Sequence, residues 1–122
     1  MIVDVGQPAR AGGHAVEALE LGPRIGYRLR EGVALTVLAA IDLAQGVESQ
    51  AIETAERALA IQRETGHRAD EARAQVILGH AYNRSGPAGQ GRTCWQAARA
   101  LFEEIGMRQA AEVGELLAKA VG

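Results

Sequence analysis

One cysteine, three prolines, one tryptophan, one phenylalanine and two tyrosines are all that 122 residues contain of those types. The lone Cys94 cannot close an internal disulfide, and no Cys or His stands beside it in a ligand spacing, so neither a disulfide framework nor a zinc site is expected. With so few aromatic rings there is little to stack nucleic-acid bases on. Charge of one sign is also missing: 13 basic and 15 acidic side chains are interspersed for a net −2, leaving no positive field for a polyanion. Direct nucleic-acid binding is therefore not expected. No apolar run approaches the roughly 18 residues of a spanning helix. The opening MIVDVGQPARAGG lacks the basic start and apolar stretch of a signal peptide, so a cytoplasmic chain that does not enter a membrane is expected.

Glycine is plentiful, at 15 residues, but none forms a GxGxxG turn after a strand or a GxxxxGK[ST] phosphate loop, and no cofactor is expected. Helix caps and linkers account for the glycines, including the stretch SGPAGQG at residues 85–91.

A repeat organises the rest. At an offset of 40, Gly26 falls on Gly66 and Gly106, Arg28 on Arg68 and Arg108, and Ala18 on Ala58 and Ala98. Pairwise, Gly46 falls on Gly86, Glu31 on Glu71, Ala34 on Ala74, Leu38 on Leu78, and Leu19 on Leu59, without a gap. Each copy holds two helical patterns. In the first, Ala74, Ile77, Leu78, Ala81 and Tyr82 make one apolar stripe, repeated by Ala34, Val37, Leu38 and Ile41, which must face something. In the second, Ala98, Leu101, Phe102 and Ile105 keep the same spacing, with a weaker version at Ala58, Ile61 and Thr65. Gly26, Gly66 and Gly106 stand where left-handed caps end the second class, and Gly46 and Gly86 where the first class ends.

The pattern predicts an all-α domain of six antiparallel helices, at about 14–25, 27–45, 49–65, 67–85, 91–105 and 107–121, after a loosely held tail over 1–13. Gly22 and Pro23 interrupt the first helix, which is expected to kink or to stop at Leu21. Hairpins whose stripes face each other and the next pair complete their core by stacking into a solenoid.

Residues 78–102, LGHAYNRSGPAGQGRTCWQAARALF, resemble the signature of tetratricopeptide repeats: Leu78 next to Gly79, Tyr82 three beyond the glycine, and Ala98 four before Phe102. ALAIQRETGHRADEARAQVILGHAY followed by ARALFEEIGMRQAAE most resembles the forty-residue repeats in the carboxy-terminal regions of large bacterial transcriptional activators of the SARP and MalT-like LuxR classes. The resemblance covers about residues 14–122. In the first copy Ala39 and Asp42 replace the glycine and the tyrosine, and the third copy runs out at Gly122. It implies a helical-hairpin solenoid that binds a protein or peptide, as the regulatory region or a stand-alone relative of such a regulator. It also implies that the first helix of each pair lines a concave groove. In the second copy this places Arg73, Val76, His80, Asn83 and Arg84 in the groove, and in the first copy Val33, Thr36, Ala40, Leu43 and Ala44. One end would be basic and the other apolar, suiting a peptide with an acidic group beside hydrophobic anchors. Pairing of the arginines with Asp70, Glu71 or other surface acids is the competing reading.

Trp95 aligns with Ala15 and Ala55, so a bulky ring stands where the other copies are small. Two readings stand: an exposed anchor for a partner, or a core filler. For catalysis, Ser49 and Ser85 read as cap or turn residues without a nearby His, and Glu103 and Glu104 point in different directions. His67 and Glu71 form an i,i+4 pair on a helix surface rather than a ligand pair. No nucleophile, base and orienting group assemble, so no enzyme is expected. A small-molecule sensor using the groove as a pocket, and a self-associating structural unit, remain as alternatives to peptide binding.

Overall fold

The structure, a computed structural model, describes residues 18–86 and 89–121. The expected tail over 1–13 lies outside them, as do the first four residues of the helix expected from His14. Among the described residues the chain is all-α, with helices α1 (Ala18–Ala44), α2 (Glu48–Thr65), α3 (Arg68–Ser85), α4 (Gln90–Glu104) and α5 (Gln109–Val121). By packing it divides into two compact units, residues 1–30 and 31–122. The first contributes the start of α1, and all packing described below lies within the second.

From α2 onward the helix ends fall within two residues of the positions that the periodicity predicts. Glycine supplies the stops. Gly66 and Gly106 both adopt φ 73°, which a side chain would strain, and the Gly66 N–H donates back to the Gln62 carbonyl. Gly86 departs from this pattern. It is extended, at φ −105°, and its place is one of space, since a Cβ there would lie 2.6 Å from Cδ1 of Tyr82. The left-handed residue of that connection is Gly89, at φ 90°.

Five helices replace the six expected, because the chain does not turn at Gly26: α1 runs unbroken through Gly22, Pro23 and Gly26. A glycine inside a helix costs about 1 kcal/mol but does not force an end, and Gly26 is not among the left-handed residues. Pro23 lies near the start of α1, where the bond it cannot donate would have gone to the carbonyl of Leu19 in the opening turn.

Successive helices pack on one another, α2 on α3, α3 on α4 and α4 on α5, and the part of α1 from Glu31 onward packs on α2. One cluster joins Leu35 and Ala39 of α1, Ala55, Ala58, Leu59 and Ile61 of α2, and Ala74 and Leu78 of α3. A second joins Ala72 of α3, Trp95, Ala98 and Phe102 of α4, and Val113 and Leu117 of α5. Alanine makes these close approaches possible: Ala39, Ala51, Ala55, Ala58, Ala72, Ala74, Ala81 and Ala98 are all fully buried. Each adds little hydrophobic area but lets two helix axes come near, so that the larger side chains interdigitate.

The stripe expected on α1 is not the face that meets α2. Gly32, Leu35, Ala39 and Leu43 are buried there, whereas Val37, Leu38 and Ile41 are 53%, 50% and 46% exposed. Their counterparts on α3 are covered, Ala74, Leu78 and Ala81 being buried and Ile77 partly so.

Candidate interaction face

Helix α3 has two used faces. Ala74, Leu78 and Ala81 meet residues of α2, while Ala72 and Val76 meet the cluster built around α4. Arg73, His80 and Arg84 fall between these two faces, since a helix turns by 100° per residue. Arg73, Asn83 and Arg84 are exposed, and Val76 and His80 are half-buried. On α1 the corresponding Val33, Ala40 and Ala44 are exposed too.

Thr36 and Leu43 are not. Both are buried, Leu43 with Ala51 and Ala81, and Thr36 in a hydrogen-bonded group with Gln62. The Gln62 amide donates to Thr36 Oγ1 at 2.7 Å and to the Gly32 carbonyl at 3.2 Å, and the Thr36 hydroxyl donates to the same carbonyl at 3.1 Å. Gln62 Oε1 accepts nothing, in a residue only 1% exposed. The signal available in the sequence was the repeat itself, because Gln62 falls on Phe102, the other fully buried large side chain, and Thr36 falls on Val76.

The arginines of this face are engaged. Arg73 donates to Asp70 Oδ1 at 2.6 Å, and Asp70, itself buried, also lies 3.2 Å from Nδ1 of His67. The ion-pair distance from His67 thus runs to Asp70 where the helix spacing suggests Glu71, and His67 Nδ1 makes no hydrogen bond. Arg84 donates to the Leu43 carbonyl at 3.0 Å and lies 3.7 Å from Glu48, tying α3 to the end of α1 and the start of α2. Arg68 pairs with Glu104 and Arg63 with Glu71, each across two helices. The basic end of the expected groove is thus largely neutralised within the chain.

Of the two readings of Trp95 the core filler is the one observed, the residue being 5% exposed, and the exposed anchor is set aside. Its ring occupies the space left by Gly79: a Cβ at residue 79 would lie 2.1 Å from Cδ1 and Nε1 of the indole. The indole N–H donates to the Val76 carbonyl at 3.2 Å, and His80 meets the ring edge-on at 5.1 Å between centroids. Such an arrangement suits the aromatic quadrupole.

Burial, reinforced by the nearby Arg84 charge, lowers the His80 pKa from its ordinary 6.5. The native chain therefore takes up a proton here less readily than the unfolded chain. Above pH 6.5 neither state is charged at His80 and nothing is lost. As pH falls through 6.5 toward the lowered native value, the unfolded chain binds a proton that the native chain refuses, and stability declines. We expect the urea midpoint to drop between pH 7.5 and pH 5, and a His80→Gln chain to lose part of that drop. An unchanged drop in the variant would place its origin elsewhere.

Tyr82 donates to Glu56 at 2.9 Å, and burial together with that acceptor pushes its hydroxyl up to about 12. Burial and the same Glu56 raise the thiol of Cys94, which disfavours the nucleophilic thiolate. Among the described residues no group of three or more His, Cys, Asp or Glu could hold a metal ion, and no helix is long and apolar enough to cross a membrane.

These features define, among the described residues, an all-α arrangement whose helices pack on their neighbours in order. The sequence matches no family model and no solved structure. It is similar to Regulatory protein AfsR of Streptomyces griseus, being 30% identical over 102 residues that make up 84% of this chain and 10% of that protein. The chain therefore spans about a tenth of the length of this curated relative, and the likeness ties it to one part of a regulatory protein.

Proposed function

We propose that this chain is a helical-hairpin repeat module of the tetratricopeptide kind, a non-catalytic interaction region of a bacterial transcriptional regulator or of a stand-alone relative. On this reading it acts from the cytoplasm and takes a peptide or protein on the side of α1 and α3 that α2 and α4 leave uncovered. The observation that carries the proposal is the composition of that side. Val33, Ala40 and Ala44 offer apolar ground on α1, and Arg73 and Asn83 offer exposed polar groups on α3 beside the half-buried Val76 and His80. The Arg73 side chain is 45% exposed, so its guanidinium can meet a partner carboxylate while held in place by Asp70. The likeness to part of a regulatory protein supports a regulatory setting.

Arg73→Glu tests this at the loss of one bond within α3, to Asp70, whereas reversal of Arg84 would break contacts to two other helices, at Leu43 and Glu48. Proteins captured from lysate of the source cell by the full chain and by the variant would be compared by quantitative mass spectrometry. A partner whose capture falls about ten-fold with Arg73→Glu is expected, the size of effect seen when one member of an interfacial charge pair is removed. Equal capture by both chains would exclude this face.

A further inference from the structure

Helix α1 repeats α3 at an offset of 40, yet only one of its two packing faces is used among the described residues. On α3, the face of Ala74, Ile77, Leu78 and Ala81 is closed by α2, whose Ala51, Ile52, Ala55, Ala58 and Leu59 seat against it. On α1, the same positions are Ala34, Val37, Leu38 and Ile41, all exposed, and Val37, Leu38 and Ile41 each leave about half of their surface uncovered. Branched aliphatics lined up in this way along one helix face are unusual on a surface that stays wet.

The α2–α3 contact is a template for what fits. Ala34, like Ala74, is small enough to admit a close helix, and Val37, Leu38 and Ile41 offer an aliphatic surface comparable to that of Ile77, Leu78 and Ala81. One position differs in chemistry. Tyr82 donates a hydrogen bond to Glu56 of α2, but the residue in register with Tyr82 is Asp42. A helix with an acid at the Glu56 position would set two carboxylates against each other on α1, while a lysine or arginine there would pair with Asp42.

We propose that the Ala34, Val37, Leu38 and Ile41 face of α1 is the docking site for one amphipathic α-helix of the α2 type, with alanine and aliphatic residues in the α2 register and a basic side chain opposite Asp42. The inference rests on the repeat register, not on the uncovered side around Arg73, and the two stand or fall separately.

The test uses a peptide of residues 48–65 carrying Glu56→Lys, held helical by a staple on the side away from Ala55 and Leu59. It is titrated into the full chain by fluorescence anisotropy. Saturable binding is expected, weakened about ten-fold by Leu38→Glu in the chain, a substitution at a half-exposed site that leaves the circular dichroism spectrum intact. The unsubstituted peptide, with Glu56 in place, should bind several-fold more weakly than the Glu56→Lys peptide, and Asp42→Asn in the chain should erase that difference. No binding of the helical peptide, or binding indifferent to Leu38→Glu, overturns the proposal. So does sedimentation of the chain alone as a dimer that Leu38→Glu dissociates, because the face would then belong to a second copy. Arg73→Glu should leave peptide binding unchanged, so failure here is distinguishable from failure of the proposed interaction face.

Discussion

Gly79→Ala is expected to destabilise the chain by about 3 kcal/mol, at the upper end of what one added methyl does in a packed core. The new Cβ would be placed 2.1 Å from two atoms of a buried indole. That indole cannot swing aside cheaply, since its N–H is bound to the Val76 carbonyl and its edge meets His80. The Trp95→Ala chain should also lose about 3 to 5 kcal/mol, through the cavity left in the α3–α4–α5 cluster. The double variant is the informative one. Gly79→Ala with Trp95→Ala reproduces the pair Ala39 and Ala55, which the first copy already packs with both residues fully buried. Its loss should fall short of the sum of the single losses by about 2 kcal/mol or more, which chemical denaturation would read as a coupling energy. Additive losses would mean that the glycine does not serve the ring. Emission of the lone tryptophan supplies an independent check: short-wavelength and shielded from acrylamide in the native chain, shifted to longer wavelength in Gly79→Ala.

The second large effect concerns Gln62 and Phe102, which occupy one position of the repeat. Phe102→Ala should cost about 3 to 5 kcal/mol by leaving a void among Ala72, Ala98 and Val113. Gln62→Ala should cost about 2 to 4 kcal/mol, through a similar void and the lost amide bonds. Gln62→Leu is predicted to behave differently, remaining within about 1 kcal/mol of the native chain. The Gly32 carbonyl would keep its bond from the Thr36 hydroxyl, and the unpaired Gln62 Oε1 would be gone. Thermal and urea unfolding of the three variants decide the matter. A loss as large for Gln62→Leu as for Gln62→Ala would mean that the amide bonds, not volume, hold this site.

Much of the helical organisation was legible because it is written locally. The positions of α2 to α5 follow from stripes of 3.6-residue period and from glycines that adopt left-handed angles after Thr65 and near Glu104. Gly26 carries the same residue type at the same register but continues the helix, since glycine permits a left-handed turn and does not impose one. The stripe of Val37, Leu38 and Ile41 was found by period alone, and period reports that a face is apolar, not which neighbour covers it. The arginines show the opposite limitation. Arg84 reaches Leu43 and Glu48, and Arg68 reaches Glu104, across gaps that only the packing of separate helices closes, so their partners could not be read from spacing along one helix. Trp95 could have been placed in the core from the sequence, because Ala39 and Ala55 become Gly79 and Trp95 together: one side shrinks as the other grows.

A chain that matches itself without a gap at 40 residues risks assembling one repeat out of step, with a helix from one hairpin seated against the next. The unlike interiors act as address labels against that error. Were α4 to settle on α1, Trp95 would meet the methyl of Ala39 where it needs the empty space of Gly79. Were α2 to take the seat of α4, the Gln62 amide would face Val76 in place of Thr36, with no hydroxyl to receive it. The same two sites that fix the packing of each hairpin thus tell near-identical helices apart while the chain folds.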